Sequence, residues 1–203
     1  MARYARHYKE SFMQVKIECI SAPYPAWRRI ICSDELTLDT FMHVMVAAMG
    51  WDDYHISSIN INDKEYIATT SGGVDAMFVG FHLDSEPLDG SLYFAYEKFK
   101  TGTEAYMLYD FGDCWRHKIT IEEIYPELPK KRMRVPSCID GEGACPPEDC
   151  GGEPGLERLI ELMEDPKKDP YRYKELREWL GYKFKKESFS IRAVNRALQP
   201  FRV

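Results

Sequence analysis

The chain lacks most of the features that classify a protein at a glance. It has no basic excess: 27 lysines and arginines stand against 33 aspartates and glutamates, a net charge of −6 with an isoelectric point near 5.5. Generic affinity for nucleic acid needs the opposite balance, so nucleic acid is not a favoured partner. A local basic run, Lys130, Lys131, Arg132 and Arg134 ahead of Pro136, reads as a solvated linker. No stretch is apolar enough for a signal peptide or a membrane span, so no membrane partner is expected and a cytoplasmic location follows by default. In that reducing setting the six cysteines are expected as core, metal-binding or catalytic thiols before disulfides. Also missing are a phosphate loop, a dinucleotide fingerprint, an H-E-x-x-H pair, EF-hand spacing and a nucleophile elbow. No internal repeat or low-complexity segment is visible.

What is present is enough apolar material for a real core: 44% hydrophobic and 13% aromatic residues in 203. A single domain over 1–203 is expected, sheet-rich over 1–125, with a Cys/Pro/Gly-rich loop at 136–154 and a helical part at 155–203. Met13, Val15, Ile17 and Cys19 alternate with polar residues, the period of a half-buried strand. "SAPYPA" breaks it and "WRRIIC" returns as a second strand. Leu38, Phe41, Met42, Met45, Val46 and Met49 recur at helical spacing, with Thr37 placed to cap and Gly50 to stop. The methionines suit a buried helix face better than a cofactor box. Strands are expected around Ile56–Ile61, Ala76–Leu83, Leu92–Phe99, Tyr106–Phe111 and Trp115–Ile124. Three short helical patterns close the chain: Leu156, Leu159, Ile160 and Met163; then Leu176, Trp179 and Leu180; then Ile191, Val194 and Leu198. Strands first and helices last predict an α+β fold. We expect a mixed sheet with a β-grasp-like ββαβ start, covered by the C-terminal helices.

The densest chemistry lies in "YDFGDCWRHKITIEEI", residues 109–124. Period-2 geometry puts Trp115, His117, Ile119 and Ile121 on one face, so His117 is expected to be buried. Its N–H then needs an acceptor, and Asp110 or Asp113 of the preceding turn is placed to supply one. Two readings stand: an acid–histidine pair for proton transfer or metal binding, or a satisfied core histidine beside a tight turn. Cys114 points to the opposite face, against a Cys–His dyad.

The second informative stretch is "CIDGEGACPPEDCGG", residues 138–152. Cys138, Cys145 and Cys150, with His117 or another histidine as fourth ligand, are the candidate zinc set. The spacing lacks paired C-x-x-C knuckles, so buried thiols in a tight loop are the plainer reading. Glu148 and Asp149 can help to bind a hard cation, or cap the helix that follows. The two stretches are expected to meet beside the sheet, with Glu148 and Asp149 facing aromatic and imidazole groups.

"YPAWRRI", "MHVMVAAMGWDDYHI", "YDFGDCWRHKI", "CIDGEGACPPEDCGG", "EWLG" and "VNRALQ" follow in the order of the Ri-plasmid ORF-three-like family, which the chain resembles over nearly its whole length. That family comprises uncharacterised proteins of plasmids, chromosomes and insertion elements. The resemblance implies a compact α+β domain whose motifs lie close together, and carries no activity. Its pattern falls here on Trp27, Arg28, His43, Trp51, His55, Asp110, Gly112, Asp113, Trp115, His117, Pro146, Pro147, Glu148, Asp149, Gly151 and Gly152. After Gly152 the chain departs from it, with "EPGL" in place of an aromatic-containing turn.

Two functions from different classes follow. One is a non-enzymatic binding or accessory module, acting on a protein or small ligand and linked to mobile elements; the missing catalytic signature and the abundant tyrosine and tryptophan favour it. The other is a metal-assisted hydrolase built from His43, His55 and His117 with Asp110, Asp113, Glu148 or Asp149.

Overall fold

The computed structural model describes residues 10–68 and 88–202. Its sheet has eight strands: β1 (Phe12–Cys19), β2 (Trp27–Ser33), β3 (Ser57–Ile61), β4 (Lys64–Ile67), β5 (Leu88–Asp89), β6 (Glu104–Tyr109), β7 (Trp115–Tyr125) and β8 (Ser137–Glu142). They lie in the order β5-β4-β3-β6-β7-β1-β2-β8. The β4–β5 pair is parallel and the other pairs are antiparallel, so the sheet is mixed. The helices are α1 (Leu38–Met49), α2 (Ala95–Lys98), α3 (Gly152–Glu164), α4 (Pro170–Leu180) and α5 (Ile191–Ala197).

Sequence period sets the faces. On β7, Trp115, His117, Ile119 and Ile121 are buried while the residues between them reach solvent. β1 alternates in the same sense and meets β7 with Ile17 opposite Ile119 and Cys19 opposite His117. The outer face carries charge in pairs, with Arg29 to Glu122 at 2.7 Å and Lys118 to Glu104 at 2.6 Å. The inner face shares one core with α1. Thr37 Oγ1 accepts the Thr40 N–H at 3.1 Å at the start of that helix, and Gly50, at φ 120°, ends it. The chain starts ββαβ as expected, but β3 joins the sheet beyond β6 and β7 instead of beside β1.

The structure differs from the sequence reading in three places. Residues 92–99 are not a strand: a short 3-10 turn ends at Leu92 and α2 follows. The Ala95 and Tyr96 N–H groups donate to the Leu36 and Asp34 carbonyls at 2.8 and 2.9 Å, so they tie this segment to the β2–α1 connection and not to a ladder. Second, the front of the Cys/Pro/Gly loop is β8, an edge strand paired with β2. Third, α4 buries no residue fully, and of the C-terminal helices it is α3 (through Leu156 and Leu159) and α5 (through Val194) that bury side chains in the core. The expected strand at 76–83 lies outside the described residues.

Buried arginine and an amide side chain fix the β8 end of the sheet. Arg28 is 3% exposed and donates to the carbonyls of Trp27 and Glu142 at 2.8 Å and of Met49 at 3.3 Å. It therefore links β2, β8 and the C-terminus of α1, where a cation is favoured by the helix dipole. Asn195 of α5 accepts the Cys138 N–H at 3.0 Å and donates to the Cys138 carbonyl at 2.8 Å, and Arg202 donates to the same amide oxygen at 2.9 Å. Replacing Asn195 with Ala leaves both Cys138 backbone groups without a protein partner; a loss of about 1–2 kcal/mol is expected in urea denaturation, with faster hydrogen exchange at the Cys138 amide.

Candidate metal centre

Three connections converge at one end of the sheet: residues 50–56 between α1 and β3, residues 110–114 between β6 and β7, and residues 143–151 between β8 and α3. Trp51 anchors the first. It is 4% exposed, donates its indole N–H to the Pro146 carbonyl at 3.0 Å, and lies 4.8 Å from the Tyr109 ring, 6.2 Å from Trp115 and 5.0 Å, edge-on, from His117. Glu148 anchors the third: its Oε1 accepts the Tyr109 hydroxyl at 2.8 Å and the Asp52 N–H at 2.9 Å. Burial raises the Glu148 carboxyl above its ordinary value. Burial also raises the Tyr109 phenol, and the Glu148 hydrogen bond raises it further.

The middle connection is a turn built for its acids. Asp110 sits at φ 57°, and its Oδ1 accepts the Gly112 N–H at 2.8 Å, an Asx turn. Asp113 Oδ2 accepts the Gly151 N–H at 3.1 Å, joining this turn to the cysteine loop. The glycine after it is required: Gly152 has φ +64°, and a Cβ there would stand 2.7 Å from the Asp113 carbonyl oxygen. "YDFGD" and "CPPEDCGG" thus meet in space through Tyr109–Glu148 and Asp113–Gly151.

At the centre of this junction is His55. Its Nε2 lies 3.2 Å from Asp149 Oδ1, 3.6 Å from Asp110 Oδ2 and 4.0 Å from Glu148 Oε2. His55, Asp110 and Asp149 are, among the described residues, the one group of three or more metal-ligating side chains whose ligand atoms all lie within 4.8 Å of each other. Ligands about 2.1 Å from a tetrahedral ion stand about 3.4 Å apart, so the observed separations fit a first-row divalent ion. Two of the atoms, His55 Nε2 and Glu148 Oε2, are buried and make no hydrogen bond. Nitrogen together with carboxylate oxygens suits zinc, manganese or iron better than an all-oxygen calcium site.

The other sequence candidates lie elsewhere. His117 is fully buried, as its period requires, but the expected bond to a turn aspartate is not formed. Asp110 is turned to Gly112 and His55, Asp113 to Gly151, and the imidazole packs against the Trp51 indole instead. His43 pairs with Asp53 at 2.5 Å and Asp39 at 3.7 Å. The zinc set of Cys138, Cys145, Cys150 and His117 is not gathered within ligand distance among the described residues. Cys138 Sγ approaches the Asp140 carbonyl at 3.2 Å and Cys150 Sγ the Gly152 carbonyl at 4.0 Å. All six cysteines are free, and burial raises these three thiols, Cys150 to about 12, which keeps them protonated. Sequence reasoning missed Tyr109 and Asp52 as the groups that position Glu148; the tyrosine was legible only as a strand residue.

The architecture and the junction define a class: an α+β protein on one mixed sheet with a histidine–carboxylate cluster where three connections meet. The chain belongs to the family described as plasmid pRiA4b ORF-3-like protein, matched over residues 11–193. It is 32% identical over 163 residues to the uncharacterized protein y4hQ of Sinorhizobium fredii (strain NBRC 101917 / NGR234), covering 76% of this chain and 73% of that one. It also resembles the crystal structure of MM3350, a protein of unknown function from Methanosarcina mazei Go1. The TM-score is 0.75 at 25% identity, covering 93% of this chain and 98% of that one. No helix among the described residues is long and apolar enough to cross a membrane.

His117 gives a pH prediction. Burial lowers its folded value to about 4 from 6.5, while the backbone of Met107 and Trp115 offsets part of that effect. The folded state therefore prefers the neutral ring. The stabilisation is complete above pH 6.5 and is lost as pH falls toward 4, by up to about 3 kcal/mol. Urea denaturation across pH 4–7 is expected to show that extra slope in the native protein and its loss in His117→Leu.

Proposed function

We propose that this protein is a divalent-metal-binding module in which His55, Asp110 and Asp149 hold the ion and Glu148 completes or tunes the shell. The observation that carries this reading is the convergence of those atoms around the unbonded His55 Nε2. A cation there would satisfy both orphaned atoms and offset the repulsion of three neighbouring carboxylates. The support is also mechanical: Asp110 and Asp149 sit at φ 57° and 51°, conformations that cost energy and mark sites where the surroundings fix the backbone. The rest of the notion of an accessory module, its partner and its place in the cell, belongs to the same proposal.

A second reading, a metal-assisted hydrolase, draws on one further feature. Asp149 is 69% exposed at its side chain and stands on the rim of an open cleft, which leaves an ion at this site a coordination position facing solvent. An open position is what separates catalytic from structural sites.

Titration calorimetry of chelator-treated protein with Mn²⁺ and with Zn²⁺ tests the first reading. We expect one ion per chain, and at least about tenfold weaker binding in His55→Ala and in Asp110→Asn, with Cys138→Ser unchanged. At 100 times its dissociation constant the ion should stabilise the fold by about 2.7 kcal/mol. Absence of stoichiometric binding by either ion sinks the proposal. Metal-dependent turnover of a phosphate or carboxylate ester, abolished in His55→Ala, would establish the second reading.

A further inference from the structure

Glu148 and Asp149 of the proposed metal centre also form part of the wall of a cleft of about 890 Å³, within the range of small-molecule sites. The same cleft is lined by the end of α4 and the segment that joins α4 to α5. That segment is fixed: Phe184 is 3% exposed with its ring 6.4 Å from Tyr24, the Lys186 carbonyl accepts the Ala144 N–H at 2.9 Å, and the Arg28 guanidinium lies 4.9 Å over the Phe189 ring. Two large rings are left half exposed beside it, Trp179 at the end of α4 at 50% and Tyr182 at the start of the connecting segment at 51%, and both line the cleft.

Lys183 and Lys185 line the same cleft, and among the described residues neither forms an ion pair. The cleft lining therefore carries both signs, Lys183 and Lys185 from the segment after α4 and the acids Asp52, Glu148 and Asp149 from the connections that form the metal centre. As a bare protein surface these acids repel an anion. With a divalent ion held by His55, Asp110 and Asp149, of which Asp149 lines the cleft, those acids are offset and the ion can take ligand oxygens on the side that Asp149 presents.

We propose that the cleft binds a small phosphate monoester carrying a flat ring, with the phosphate shared between the metal ion and Lys183 and Lys185 and the ring against Trp179 and Tyr182. A single carboxylate offers one charge and two oxygens to these three cationic partners; a phosphate monoester offers nearly two charges and three oxygens. Exposed tryptophan and tyrosine beside a charged pocket supply the stacking surface that a flat ring uses. The inference rests on the metal reading and extends it to a ligand class.

Calorimetric titration of AMP into the Mn²⁺-saturated full chain tests it, with adenosine and ribose 5-phosphate as arms for the ring and the phosphate. AMP is expected to bind more tightly than either, and at least about tenfold more weakly in the Lys183→Ala/Lys185→Ala double variant, since each charge-assisted bond is worth roughly that factor. Trp179→Leu should weaken AMP and adenosine but leave ribose 5-phosphate unchanged. Mn²⁺ affinity, measured alone, should be unaltered in both variants. Mn²⁺ binding without AMP binding, or AMP binding insensitive to both variants, overturns this inference and leaves the metal reading standing. Failure to bind either Mn²⁺ or Zn²⁺ overturns both.

Discussion

A single carboxylate oxygen, Oε1 of Glu148, joins the connections at one end of the sheet. It receives a hydroxyl from β6 and an N–H from the α1–β3 connection, while the residue that bears it belongs to the loop after β8. Three segments separated by 39 to 96 residues are thus fixed by one acceptor. Because this oxygen is fully used, the second oxygen is left directed at His55 without a bond of its own. The two oxygens of one side chain thus have different surroundings, one bonded twice and one not at all, and burial raises that group's proton affinity.

The two imidazoles at this end of the sheet have opposite environments. His117 is packed edge-on against Trp51 with no carboxylate bonded to it, and burial keeps it neutral. His55 lies on the other side of the aromatic wall, 30% exposed and surrounded by carboxylates. Trp51 and Tyr109 stand between the two rings, Trp51 against His117 and Tyr109 edge-on to His55 at 5.8 Å. Placing reactivity on connections that rigid strands support is the usual division of labour in such folds.

Local period made the framework readable. The alternation in β1 and β7 and the Thr37-to-Gly50 helix could be placed from residue order because burial on one face imposes that order. β8 could not, since what makes "SCIDGE" a strand is pairing with β2 and an amide 57 residues further on. The region 92–99 failed for the same reason, its N–H groups being spent on Leu36 and Asp34. At the site, phase along β7 told that His117 is buried but not what it touches. The acids of both motifs were visible as an unusual density of charge beside glycine and proline. His55 stands in a connection with no period, and the distances that bring it to Asp110 and Asp149 arise only from tertiary folding.

The Asn195 amide has a further meaning for how copies of this chain can associate. It presents a donor and an acceptor to the Cys138 backbone as a neighbouring strand would, so the middle of β8 is already paired by a side chain. An incoming strand from another molecule would find those two groups occupied, and Arg202 holds the amide in place. Sheet margins left open invite continuation into fibrils, and natural proteins guard them. Here the guard is a helix that imitates a strand for one residue, which makes α5 a block on pairing at Cys138 as much as a cover for the core.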